Sequence, residues 1–330
     1  MFSLYLIALC TLLANVALGG VLGHDNESRA QPMRRAAASD LPVRIITHNI
    51  RYAADPPSEG EQPWTERKRP IVNELLYLTR NQESFLCLQE VLHNQLTDVL
   101  SGLNPSDTAA GEEWDYIGVG RDDGHQEGEY APIFYRPATW ELHDFQTVWL
   151  SETPNVPSKG WDAASIRIVT IGVFEHRETG KKVLALNTHL DDQGQQARLE
   201  GAKIILDQIA DYLSEEDSNA ETPYSAVFLA GDFNSEEDGA AYQTLTASNS
   251  TIADPQKIVP PEEQYGEKNT STGFGDDDPS RIDYILLGPS DTGAVEQTWT
   301  VEGYSVQPNQ FEDGVYISDH RAVVVDAVFA

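Results

Sequence analysis

An apolar run that stops at a carboxylate and a carboxamide constrains this chain more than any other stretch. Ala226–Ser235 reads AVFLAGDFNS. Ala226 to Ala230 has the length of a buried strand. Gly231 breaks the run, and Asp232 and Asn234 follow two residues apart. In extended backbone, residues i and i+2 point to the same side. The strand therefore delivers an anion and an amide side by side to one place at a sheet edge. Gly, Asp and Asn are also ordinary turn residues, so this segment alone fits a polar turn as well as a functional site.

Other runs repeat the design. Val43–Arg51 (VRIITHNIR) is expected to be a strand ending at His48-Asn49, and Ser84–Gln89 a buried strand with Glu90 at its end. Ser165–His176 and Lys182–Leu190 are expected to pair as a hairpin through Glu178-Thr179-Gly180, bringing Asn187-Thr188-His189 to its end. Arg281–Leu287 (RIDYILL) reads as a strand carrying Asp283 outward, and Ser318-Asp319-His320 stands before a last strand, Ala322–Phe329. Shorter strands are expected at Trp114–Val119, Tyr130–Arg136, Trp140–Leu142 and Val295–Val306.

Helical spacing covers Trp64–Thr79, with Pro70 in or near its first turn, and then Val91–Leu103, Gln193–Leu213 and Glu236–Ala247. Ala253–Ser280 reads as loop. Strands dominate without the strict strand–helix alternation of a parallel barrel. The expected class is α/β: two mixed sheets packed face to face, with helices outside.

The ends of the chain suggest an address. Phe2–Leu18 is almost wholly apolar and precedes Gly19-Gly20, as in a secretory signal peptide over residues 1–20. Residues 21–42 read as a flexible leader, with Arg34-Arg35 as a candidate processing pair, and 43–330 as one domain. No later segment is apolar enough to serve as a membrane anchor. Asn26, Asn249 and Asn269 each begin an Asn-X-Ser/Thr triplet, the acceptor for N-glycosylation. Cys10 would leave with the signal peptide, and Cys87 then has no partner, so no internal disulfide is expected.

With 53 acidic and 22 basic residues, the formal net charge is −31. Such a surface disfavours non-specific binding to long nucleic acid, which needs basic footprints. It leaves room for a small phosphate ester gripped locally. The basic clusters Arg67-Lys68-Arg69 and Lys181-Lys182 read as solvated helix and hairpin faces. No partner protein is evident.

Collected together, the polar groups at these ends are Asn49, Glu90, His189, Asp232, Asn234, Asp283, Asp319 and His320. As a set they form the inventory of a hard-metal, acid–base site. At this point the chain resembles the endonuclease/exonuclease/phosphatase superfamily over most of Val43–Phe329. The resemblance rests on THNIR, LCLQE, EYAPIFYR with Glu129, NTHL, GDFN, RIDYIL and SDH, in that order. WLSETP followed by GWDAASIR resembles a secreted subgroup.

The resemblance implies a four-layer, deoxyribonuclease I-like α/β sandwich and hydrolysis of a phosphate ester with Mg²⁺ or Mn²⁺. It implies Glu90, Asn49 and Asp319 at the metal, and Asp232 on the attacking water. Asn234, His189 and His320 would face the phosphate, Asp283 would hold His320, and Glu129 would orient His189. Arg167 is a weaker phosphate candidate, since a strand arginine is commonly salt-bridged.

His24, His48, His93, His125, His143 and His176 read as packing or surface residues, as do Trp149 and Trp161. Asp276-Asp277-Asp278 reads as a solvated acidic loop. Three other functions are compatible with parts of the pattern: an extracellular nuclease of the same fold, a glycosidase using paired carboxylates, and a catalytically silent binding protein. The glycosidase reading leaves the two histidines and two asparagines without roles.

Overall fold

The computed structural model describes residues 40–105, 113–215, 226–275, 278–289 and 298–329. The candidate signal peptide, Asn26, Arg34-Arg35 and Asp276-Asp277 lie outside the described residues.

The β-branched and aromatic runs form strands, and the Ser84–Gln89, Ile168–His176, Lys182–His189, Ala226–Asp232 and Asp283–Gly288 strands are buried on both faces. One sheet has seven strands in the order β3-β4-β2-β1-β12-β11-β9 and the other five in the order β10-β8-β7-β6-β5. In the first, β1 is Leu41–Asn49, β2 Ser84–Gln89, β3 Asp115–Ile117, β4 Ile133–Tyr135, β9 Gln264–Gly266, β11 Trp299–Val306 and β12 Val323–Phe329. In the second, β5 is Trp140–Trp149, β6 Ile168–His176, β7 Lys182–His189, β8 Ala226–Asp232 and β10 Asp283–Gly288. The helices are α1 (Trp64–Leu78), α2 (His93–Leu103), α3 (Gln195–Glu215) and α4 (Ala240–Leu245).

Alternation sorts the side chains into layers. Val43 and Ile45 of β1, Phe85 and Cys87 of β2, Val183 and Ala185 of β7, Phe228 and Ala230 of β8, and Ile285 of β10 meet between the sheets. Their neighbours face outward: Ile46 and Leu86 pack on α1 and α2, while Leu184, Leu186, Val227 and Leu229 pack on α3 and α4. Burial on both faces explains why these strands read as continuous apolar runs rather than alternating ones. The result is the expected four-layer sandwich.

At one end the inter-sheet layer turns polar. Gln89 donates through Nε2 to Thr47 Oγ1 at 2.9 Å and to Asn187 Oδ1 at 2.7 Å. Asn187 donates through Nδ2 to Leu88 O at 2.9 Å and to Pro132 O at 2.8 Å. All three side chains are fully buried, so this layer ties one sheet to the other.

Several expectations need correction. Arg67 does not sit on a solvated face: it is fully buried in α1, while Arg69 is exposed. Asp283 points into the protein and is fully buried. The stretches around Trp140 and Gln146 form one ten-residue edge strand with an irregularity between Leu142 and Asp144. Edge strands accommodate such bulges and polar residues. Pro70 falls in the second turn of α1, because the helix already starts at Trp64, whose indole donates to Asp98 at 2.8 Å. The helix expected from Glu236 is confined to α4, after a turn closed by Gly239 N–H to Glu236 O. The expected loop between Ala253 and Ser280 contains β9.

Cys87 is buried in the inter-sheet core, where burial pushes its thiol pKa upward. Asn249 is exposed and Asn269 half-buried. Among the described residues, no helix is long and apolar enough to cross a membrane.

Replacing Asn187 by Ala removes three buried hydrogen bonds, one from the Gln89 amide and one each to the Leu88 and Pro132 carbonyls. We expect a loss of about 2–4 kcal/mol in urea unfolding, the scale of unsatisfied buried polar groups. A loss below about 0.5 kcal/mol would show that the layer does not hold the sheets together.

Candidate active site

The period of two that buries Phe228 and Ala230 between the sheets places Asp232 on that same face, beyond the apolar layer. Asp283 leads β10 in the same phase as Ile285 and lies directly opposite Asp232 in the antiparallel ladder. His189 ends β7 opposite Asp232 in a parallel pair, and Asn49 ends β1 opposite Gln89. The site is thus the mouth of the sandwich, where both sheets present their inner faces.

The polar ends converge. Asp232 is 1% exposed. Its Oδ1 accepts from Asn234 N–H at 2.9 Å and its Oδ2 from Asn49 Nδ2 at 3.0 Å. The same Oδ2 lies 3.6 Å from His189 Nε2 and 3.7 Å from His320 Nε2. His320 donates through Nδ1 to Asp283 Oδ2 at 2.9 Å. Asp283 is held in turn by its own backbone N–H, which donates to the Thr270 hydroxyl at 3.0 Å. Asn234 Nδ2 reaches His189 Nε2 and Leu190 O, both at 3.0 Å.

A second group adjoins. Glu90 accepts from Asn49 Nδ2 at 2.9 Å and from Tyr52 N–H at 3.1 Å. Asn49 spends its own oxygen on Arg51 N–H at 3.0 Å. Its amide nitrogen thereby braces Glu90 and Asp232 together. Glu129 is also placed differently from expectation. It accepts from Arg121 Nη1 at 2.7 Å and stays 3.7 Å from His189 Nδ1, beyond hydrogen-bond reach. Arg167 bonds Asp191 at 3.2 Å and Asp192 at 2.7 Å, the salt-bridged alternative, yet it still borders the cleft.

The electrostatics follow from burial and neighbours. Burial pulls the His320 pKa down, but Asp283, Asp232 and Asp319 outweigh it and raise the pKa well above 6.5. Burial and then Asp283 raise the pKa of Asp232. Burial favours the neutral form of Glu90 as well. There the charge of His189, the bond from Asn49 and the charge of His320 more than compensate and bring the carboxyl down to about 2. Burial and the Glu90 charge raise Asp319. One carboxylate is thus held ionised beside another that takes up a proton more readily.

Three arginines border the cleft, which measures about 410 Å³. Two of them, Arg51 and Arg121, are site residues that the sequence reading missed. The signals were present: Arg51 follows Asn49 by two in THNIR, and Arg121 precedes Glu129 across a Gly-rich turn. Arg67 supports the site from behind. Its guanidinium donates to the carbonyls of Ile50 (2.8 Å), Tyr52 (3.1 Å) and Ile317 (3.2 Å), and to Glu61 at 3.2 Å. These residues flank Asn49 on one side and Ser318-Asp319-His320 on the other.

Two donor groups fit a divalent cation. Asp232, Asp283 and His320 offer atoms within 4.8 Å of one another. His320 and Asp283 are engaged with each other through a retained proton, however, which suits proton transfer better than ligation. Glu90 and Asp319 provide oxygen donors only, and both lie within 4.0 Å of a single guanidinium. That sparse, all-oxygen set suits a hard ion that keeps several waters.

A model of the Endonuclease/Exonuclease/phosphatase family matches residues 46–320. Among solved structures, the chain is similar to an endonuclease/exonuclease/phosphatase from Bacteroides vulgatus. The identity is 32%, covering 88% of this chain and 99% of that one, with a TM-score of 0.73. It is similar to a mannosyl-6-phosphatase from Bacteroides thetaiotaomicron at 29% identity, covering 87% and 100%, with a TM-score of 0.68. The human Nocturnin catalytic domain, at 18% identity, coverage of 88% and 95% and a TM-score of 0.62, shares the fold. A search of curated proteins finds no match.

The His320–Asp283 pair makes a prediction about pH. The folded-state pKa of His320 lies above 6.5, so the pair's stabilisation is complete below about pH 6.5 and is lost as pH rises through the raised value. Asp283→Asn should therefore cost most stability at low pH, and the gap to wild type should narrow on the alkaline side. Urea melts across pH 5.5–9 measure it. A gap independent of pH would mean that His320 does not hold its proton through Asp283.

Proposed function

The chain belongs to the endonuclease/exonuclease/phosphatase family, whose members hydrolyse phosphate esters; from that premise we propose that it hydrolyses the phosphate ester of a small, polar, sugar-like molecule, with Mg²⁺ or Mn²⁺ held at Glu90 and Asp319. The observation that carries this reading is Asp232 Oδ2, set between His189 Nε2 and His320 Nε2 at 3.6 and 3.7 Å. A base for water and two imidazoles for phosphoryl oxygens thus meet at one point.

In this reading Asp232 takes the proton of the attacking water. Its raised pKa makes it a better base than an ordinary carboxylate. His320, kept protonated against Asp283, donates to the phosphoryl group, and His189 and Asn234 hold its oxygens. Asn49 fixes the distance between Asp232 and Glu90. A bound divalent ion supplies positive charge against the phosphoryl oxygen.

Substrate size and polarity follow from the cleft. Its guanidinium groups at Arg121 and Arg167 are paired with Glu129, Asp191 and Asp192. Such mixed forks suit hydroxyl groups and one phosphate better than a polyanionic backbone. The net charge of −31 supports the same choice, as does the name of the Bacteroides thetaiotaomicron mannosyl-6-phosphatase. We also read the protein as exported, on the apolar segment Phe2–Leu18 and the Asn-X-Ser/Thr triplets.

Mannose 6-phosphate, p-nitrophenyl phosphate, bis-p-nitrophenyl phosphate and plasmid DNA, each with Mg²⁺ and then with EDTA, test the proposal. Phosphate should be released from the sugar phosphate, stopped by chelator, with DNA left intact. Asp232→Ala should lower kcat by about 10²–10⁴-fold, the range for a lost general base. Cleavage of DNA instead would identify a nuclease. Turnover of none of the four would point to a binding protein.

A further inference from the structure

Arg51 lies among three carboxylates without a hydrogen bond to any of them. Its Nε is 3.5 Å from Glu61 and 4.0 Å from Asp319, and its Nη1 is 3.7 Å from Glu90. Nε is buried and has no hydrogen-bond partner. The guanidinium is steadied by Ser58 Oγ at 3.2 Å and by the Tyr52 ring, 4.4 Å below it.

The neighbouring guanidinium makes the contrast. Arg67, also among these charges, hydrogen-bonds Glu61 and a set of backbone carbonyls and is fully buried. Arg67 thereby takes the direct bond to Glu61, and the charge of Arg51 is shared among Glu90, Asp319 and Glu61 without a hydrogen bond to any of them. The backbone aims it there. Arg51 has φ +57, in the left-handed region that is costly for a residue with a side chain. The Asn49 oxygen holds that turn through Arg51 N–H.

We propose that Arg51 is a built-in counter-cation that sets the affinity of the Glu90–Asp319 site for a divalent ion, weakening it about tenfold. The proposal rests on Glu90 and Asp319 being the carboxylates of the proposed metal site. A unit positive charge and a divalent ion facing the same two carboxylates repel each other, and in a cleft open to solvent this costs on the order of a factor of ten in affinity. Guanidinium is suited to the task because it stays charged and stacks on an aromatic face while remaining free to shift. Its ion-pair distances of 3.7 and 4.0 Å are longer than a charged hydrogen bond, so Arg51 itself does not occupy the carboxylate oxygens. The site would then exchange its ion readily instead of locking onto it.

Calorimetric titration of the full chain with MnCl₂, without substrate, tests this. Arg51→Gln should lower the Kd about tenfold and Arg51→Lys should stay within about threefold of wild type. Tyr52→Ala, which removes the ring under the guanidinium, should lower the Kd by a smaller factor; it carries the test if Arg51→Gln fails to give a wild-type melting curve. Glu90→Gln should weaken binding by about a hundredfold or more. Unchanged or weaker binding in both Arg51→Gln and Tyr52→Ala, with Glu90→Gln still defective, would overturn the role of Arg51 and leave the metal site standing. Wild-type Mn²⁺ binding by Glu90→Gln would remove the metal site, and this role with it.

Discussion

The amide of Gln89 bonding Asn187 across the sheet interface is the contact on which the rest of the site depends. Two sheets that are apolar on both faces can slide against one another with little change in buried area. A buried amide cannot slide, because each unpaired donor or acceptor costs free energy comparable to a lost hydrogen bond. Thr47, Gln89 and Asn187 each sit one or two residues before Asn49, Glu90 and His189. Fixing the first three fixes where the second three emerge.

Beyond that layer the protein holds several charges close together with little water. Asp232, Asp283 and His320 are all nearly or fully buried. Such a cluster persists only when each charge has a partner, since an isolated buried ion is costly. Here carboxylates, imidazoles and guanidinium groups balance one another. Asn49 braces two carboxylates, Thr270 braces the backbone of Asp283, and Arg67 pins the segments on either side. The same balance sets protonation states, with Glu90 kept ionised and His320 kept protonated.

The sheet strands and the site residues at their ends were largely legible in the sequence, because alternation and strand-end punctuation are local patterns. Asp283 shows the limit. Its phase with Ile285 was visible in RIDYIL, but which face was inner depended on the opposing sheet, and an acidic residue at a strand end reads by default as solvated. Arg67 was misread for the same reason. Three basic residues in a row on a helix resemble a solvated face until the carbonyls of Ile50, Tyr52 and Ile317 surround the first of them. Glu129 was correctly brought near His189, yet its hydrogen bond goes to Arg121, a partner that only the folded turn presents.

The sequence by itself determined the kinds of side chain available, the strand ends that carry them and the net charge around them. These are set by composition and by a backbone period of two, which need no distant contact. Only the tertiary structure decided that Asp232 stands between two imidazoles, that Asn49 holds carboxylates, and that Arg51 faces Glu90 and Asp319. Those facts depend on strand order, on the register between sheets and on which charges lose their water, and each of these is settled only when segments far apart in the chain pack together.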